Sequence, residues 1–264
     1  MLTKLLKYDL KYMIKNMSVF YIFSIFFAIT TRILFSVKQT VIIDIIGQIS
    51  VGTMFSMLAS VLINTLMRSW IRFRDSIYKD EAYLTHTLPV TKKDIYNSKF
   101  LQTLIFFIVG FVVIVLSLLI VYYTKDRWIA LKTMINSITS GLNINAVLFV
   151  LSMIGIIFLE IFNAIQSGFF GIILGHKKNN NKIGYSVLFG FLEYMISQTM
   201  VLILMFIVGL FDGNIMELFK NNNILLNSNT LKLIIILTTI LYLLIIYFMS
   251  VICKKELDKG VNIE

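Results

Sequence analysis

Two carboxylates stand inside apolar sequence. Glu160 lies close to the middle of the run 144–174, and Glu193 about a third of the way along 183–211. An ionisable side chain in such a setting is expensive and faces protein or water rather than lipid. Two roles are open to it: lining a path or coupling a movement, or joining helices through internally satisfied polar groups. Both carboxylates belong to polar stripes at helical spacing. Glu160, Asn163, Ala164, Ser167, Gly171 and Gly175 share one face, and Ser186, Gly190, Glu193 and Ser197 share another. Thr53, Ser56, Ser60 and Asn64 form a third. Small residues four apart let helix backbones approach closely. Gly171 and Gly175 make a GxxxG, a motif common in any apolar helix.

Arg32 is the candidate cation for Glu160. Counted from the same membrane face, each lies roughly 21–23 Å up its span at helical rise. One expectation is a buried ion pair; the other is that Arg32 snorkels to the nearer surface. The run 183–211 offers no cation to neutralise Glu193.

Several chemistries lack their residues. His86 and His176 are the only histidines, and neither falls at the depth of the glutamates. No H-E-x-x-H or paired-glutamate motif supports an intramembrane protease. Cys253 is the only cysteine, so no internal disulfide and no metal cluster is expected. A G-x-x-x-x-G-K-[ST] phosphate loop is absent, and GHKKNNNK at 175–182 lacks the second glycine and the hydroxyl residue. ATP hydrolysis by this chain alone is not expected.

The elements that carry these residues follow from composition. Hydrophobic residues make up 58% of the 264, and charged residues 14%; a soluble domain carries roughly 25% charge. About 20 apolar residues cross a bilayer as a helix. Six spans are expected, at about 17–37, 42–67, 100–123, 144–174, 183–211 and 231–252. The runs are continuous rather than alternating, which excludes a membrane β-barrel. The fold class is therefore an all-α membrane protein in a single transmembrane domain. Span 4 is longer than the ~30 Å hydrocarbon core requires, so it must tilt, break or project.

The net charge of +10 is not a nucleic-acid footprint, because of where it lies. Lys4, Lys7, Lys11 and Lys15 precede span 1. Arg68, Arg72, Arg74, Lys79, Lys92, Lys93 and Lys99 separate spans 2 and 3. Lys177, Lys178 and Lys182 separate spans 4 and 5, and Lys254, Lys255 and Lys259 follow span 6. The positive-inside bias then puts both termini in the cytoplasm. No cleavable signal peptide is expected, since the first apolar run is long and lacks a small-residue cleavage site.

Residues 2–15 read as a basic amphipathic helix lying in the membrane interface before the chain turns into span 1; a frayed basic tail is the plainer alternative. Asp9 falls among its apolar residues. On the outer side, Thr124–Asn143 reads as a short helix anchored by Trp128, and Asp212–Thr230 as less regular. The short turn 175–182 makes spans 4 and 5 an antiparallel pair.

Residues 68–99 form the one long charged stretch and hold the only proline, Pro89. Arg68–Lys79 should continue span 2 as a helix, and Thr87-Leu88-Pro89 should break it. Thr91 and Asp94 have the spacing of a capping box that opens a new helix at Lys92. The expected result is a helical elbow, as against an ordinary charged loop.

The run YKDEAYLTHTLPVTKKDIYNSKFL at 78–101 resembles the segment after the second span of ABC-2-type transporter permeases. FFGIILGHKKNNNKIGYSVLFGF at 169–191 is more weakly similar to their span 4 to span 5 junction. The resemblance implies a permease subunit that pairs with a second permease, identical or not. It implies a separate ABC ATPase subunit carrying ATP and Mg, with no cofactor in this chain. Asp80, Glu81, Tyr83, Leu84 and His86 would then dock on that ATPase, with Leu88 and Pro89 fixing the angle. Spans 2 and 5 would flank the dimer axis. Arg32, Ser56, Ser60, Asn64, Glu160, Asn163, Ser167, Glu193 and Ser197 are the candidate pathway residues. The implied activity is export of an amphipathic or cationic substrate, such as an antimicrobial peptide or lipid-like molecule, across a bacterial cytoplasmic membrane. A carrier driven by an ion gradient through Glu160 and Glu193 is the alternative, although no repeat relates residues 1–124 to 144–264.

Overall fold

A computed structural model describes residues 2–37, 40–141, 143–211 and 228–260. These residues form eight helices and no strand. They are α1 (Leu2–Ser36), α2 (Val41–Tyr78), α3 (Glu81–Thr87), α4 (Lys92–Tyr122), α5 (Lys125–Gly141), α6 (Ala146–Gly175), α7 (Lys182–Phe211) and α8 (Ser228–Asp258). All but α3 and α5 are long and apolar enough to cross a membrane. Of the segment Asp212–Thr230, expected to be less regular, 212–227 lie outside the described residues, and the last three residues open α8.

The described residues up to Ile129 make one compact unit, and those from Ala130 onward another. In the first, α1 packs on α4 and α2, and α2 also meets α4 and α3. In the second, α6 packs on α7 and α8, which also touch each other.

α1 differs from its expectation. Its 35 residues run without a turn between an interfacial segment and span 1. No glycine or proline lies between Leu2 and Ser36, so nothing interrupts the hydrogen-bond ladder. The face holding Asp9, Met13 and Met17 is buried inside the unit, while Lys4, Lys7, Lys11 and Lys15 point outward. Met13, Met17 and Phe106 form a core with Leu10, Phe20 and Tyr21 packed on it. The Leu10–Met13–Met17 side therefore packs on neighbouring helices, while Ile14 is exposed. At 1.5 Å per residue α1 spans about 52 Å, some 20 Å more than a hydrocarbon core. α2, at 38 residues, is longer still. The two helices run antiparallel and project together at the Asp9 end.

The breaks fall where local chemistry places them. α3 stops at Thr87, Leu88 turns extended (φ −68°, ψ 140°) ahead of Pro89, and Val90 N–H donates to the Leu88 carbonyl at 2.8 Å. Thr91 caps α4: its hydroxyl accepts from Asp94 N–H at 3.1 Å and donates to the Asp94 carboxylate at 2.9 Å. α6 is unbroken over 30 residues, so of the three ways to accommodate span 4 the break is excluded.

Candidate functional site: one buried carboxylate centre in each unit

At the projecting end of the first unit Asp9 is 2% exposed. Lys99 Nζ lies 2.5 Å from its Oδ1 and Arg72 Nε 3.1 Å from the same oxygen. Ser98 donates to Oδ2 at 3.2 Å. Arg72 reaches further: its Nη1 meets both oxygens of Glu81 at 2.7 and 2.5 Å, and its guanidinium lies 4.6 Å from the centre of the Tyr12 ring. One arginine thus ties α1 to α2 and α2 to α3, and Lys99 adds α4. Two cations and two carboxylates make the cluster neutral, the condition under which buried charge is tolerated.

The α3 residues divide into two sets. Glu81 is held by Arg72, and the His86 ring nitrogen Nε2 sits 3.1 Å from the Ile77 carbonyl; both fasten α3 to α2. Ala82 is fully buried. Tyr83 and Leu84 are 63% and 74% exposed. Asp80, Leu88 and Pro89 are exposed beside them.

In the second unit Glu160 draws together three helices. Its Oε1 accepts from Tyr194 Oη and from Gln198 Nε2, each at 2.7 Å, and its Oε2 accepts a short hydrogen bond from Tyr242 Oη. All three donors are neutral. Toward Gly175, Asn163 Nδ2 donates to Ser197 Oγ at 2.7 Å, and Ser167 donates to the Asn163 carbonyl at 2.8 Å. The Ser167 hydroxyl also lies against the carboxyl of Glu193. Glu193 is 7% exposed. Its Oε2 and Asn163 Oδ1 are both buried, with no hydrogen-bond partner among the described residues.

The glycines let α6 and α7 come this close. A Cβ on Gly171 would stand 2.6 Å from Gly190 N, and one on Gly175 2.6 Å from Ser186 Cα. The GxxxG is therefore used as a helix contact. Ser186, Gly190, Glu193 and Ser197 all face into this crossing, so the span 5 stripe is covered by α6 and does not face outward. The span 2 stripe behaves differently. Ser56 is exposed, Thr53, Ser60 and Asn64 are half-buried, and Ser56 and Asn64 bond to carbonyls of their own helix at 2.9 Å.

Arg32 and Glu160, the expected ion pair, fall in different units. Arg32 Nη1 donates to the Val121 carbonyl at 3.2 Å, and Glu160 is served by its two tyrosines and Gln198. Each is satisfied within its own unit. Sequence reasoning missed Asp9, Arg72 and Lys99 as a cluster, although a lone aspartate on an apolar face is the mark of a buried partner. Tyr194 and Gln198 sit at i and i+4 on one face of α7, but Tyr242 carries no local signal at all.

No family model matches the chain, and no curated protein or solved structure is significantly similar to it. The class that the fold defines is a helical multi-pass membrane protein, built on six long apolar helices.

Proposed function

We propose that the chain is the membrane-spanning subunit of an ABC transporter, moved by a separate ATPase that binds ATP and Mg. The ABC-2-type resemblance of 78–101 supports this reading. The observation that carries it is the mounting of α3. Tyr83 and Leu84 stand exposed on a short helix that Arg72, Asp9 and Lys99 fasten to three others. An exposed aromatic–aliphatic pair outside the six apolar helices' hydrophobic stretches suits a docking surface, and a stiff mount would let a push there tilt α1, α2 and α4 together. Asp80, Leu88 and Pro89 complete the docking edge, while Glu81 and His86 hold it.

In this reading both termini and α3 lie in the cytoplasm, following the lysine and arginine distribution, and the membrane is the bacterial cytoplasmic one, as the resemblance implies. A second permease would meet the outward stripe of α2 at Ser56, Ser60 and Asn64. The cargo is an amphipathic or cationic molecule, such as an antimicrobial peptide or lipid-like compound, moved outward. An ATPase should co-purify with the tagged chain from its own cells and be lost from Leu84→Asp and Tyr83→Asp. Retention of the ATPase by both variants, or its absence from the wild type, would sink the proposal.

A second reading, an ion-gradient carrier, is favoured by one observation: neither Glu160 nor Glu193 meets a cation. Vesicle transport that persists without ATP but collapses with the gradient would put it first.

A further inference from the structure

Glu160 is positioned by its neighbours without being neutralised by them. Tyr194, Gln198 and Tyr242 fix both of its oxygens, yet none brings a positive charge. No lysine, arginine or histidine among the described residues of its own unit pairs with Glu160. The carboxyl is not sealed in either. Glu160, Tyr194 and Gln198 are all half-buried, and only Tyr242 is buried. One turn along α6, Ile157 is exposed, and it offers an apolar wall beside the acid.

We propose that Glu160 and its two tyrosines form a receptor for the head of a monovalent organic cation, an amine or quaternary ammonium carried on an apolar body. This deepens the transport reading by naming the cargo head, and rests on it. A carboxylate in low-dielectric surroundings attracts a cation far more strongly than one in water. Each phenol that donates its proton to Glu160 keeps oxygen lone pairs. An ammonium N–H at the carboxyl would therefore meet phenol oxygens as well, and a quaternary head would gain from the aromatic rings. The isoleucine beside the acid suits the apolar body, which a bare metal ion lacks.

The test uses the purified full-length chain in lipid nanodiscs, with radiolabelled tetraphenylphosphonium as probe and hexylammonium or hexanol as competitor. Binding should be saturable and displaced by hexylammonium at concentrations where hexanol has no effect. Glu160→Gln, which preserves shape, should weaken binding at least tenfold, and Glu256→Gln, remote from the centre, should leave it unchanged. Gln198→Lys places an internal cation beside the carboxyl and should abolish binding while a cooperative thermal transition is kept. Wild-type binding in Glu160→Gln or Gln198→Lys would overturn the proposal. So would equal displacement by hexanol, or displacement by sodium but not by hexylammonium. No ATPase is present in this assay. Failure here removes the receptor and leaves the α3 docking test standing, and failure of docking leaves the binding result standing.

Discussion

Both units draw helices together around a carboxylate, but they satisfy it in opposite ways. Asp9 is met by Lys99 and Arg72, and Arg72 carries the pairing on to Glu81. Glu160 is met by two phenols and an amide. The difference follows from position. Asp9 sits at the projecting ends of α1, α2 and α4, where long cationic side chains are affordable. Glu160 sits in the apolar middle of α6, where a lysine or arginine would be expensive. Cationic pairing makes a neutral, stiff joint. Neutral donors hold an acid in place and leave its charge available to something else.

The contrast can be broken most sharply at Asp9. Asp9→Asn strands Lys99 and Arg72 and should cost about 3–5 kcal/mol, as expected when one partner of a buried pair is removed. Glu160→Gln should cost about 1 kcal/mol, the scale of a single interhelical hydrogen bond in a membrane. Equal losses in detergent unfolding would erase the distinction between the two centres.

Packing gives the next effect. Gly171→Ala puts a Cβ against the α7 backbone and should cost about 1–3 kcal/mol. Gly155 lies on the same helix with nothing within 4 Å of an added Cβ. There the same change should stabilise by roughly 0.5–1 kcal/mol through helix propensity. Matching signs would mean that α6 and α7 are not in backbone contact.

A smaller effect separates the units. Arg32→Ala and Glu160→Gln should add within about 0.5 kcal/mol in the double variant, since Arg32 bonds to Val121 and Glu160 to Tyr194, Gln198 and Tyr242, each within its own unit. Coupling well beyond that would support the ion pair.

The smallest effect concerns Glu256, past the apolar stretch of α8. Hydrogen bonds from Lys177 and then Lys259 pull its carboxyl down to about 2. A depressed carboxylate contributes stability above its ordinary titration range and loses it as pH falls toward the folded value. The pair is close to the surface, so the expected loss is small. Glu256→Gln should flatten the stability–pH curve between about pH 4.5 and pH 2; an unchanged slope would remove the link between the 176–182 turn and α8.

Much of this was legible locally. The six long helices, the stop at Leu88-Pro89, the Thr91 cap and the antiparallel α6–α7 pair rest on apolar run length, proline sterics and short-range hydrogen bonds. The polar stripes were legible as faces but not as partners. Periodicity shows that Ser56 and Ser197 lie on one side of a helix, not that the first faces outward and the second faces α6. The amphipathic pattern of 2–15 was real, yet its apolar side packs on α2 and α4, because an unbroken helix carried it there. Asp9, which falls among the apolar residues of that pattern, is the centre of the joint.

The residue order alone set how many helices form, where they stop and which side chains share a face, because those outcomes depend on neighbours within a turn or two. Which carboxylate receives a cation and which only a phenol depends on residues as far apart as Asp9 and Lys99, or Glu160 and Tyr242. No periodicity connects them, and only the packing of separate helices brings them within hydrogen-bonding distance.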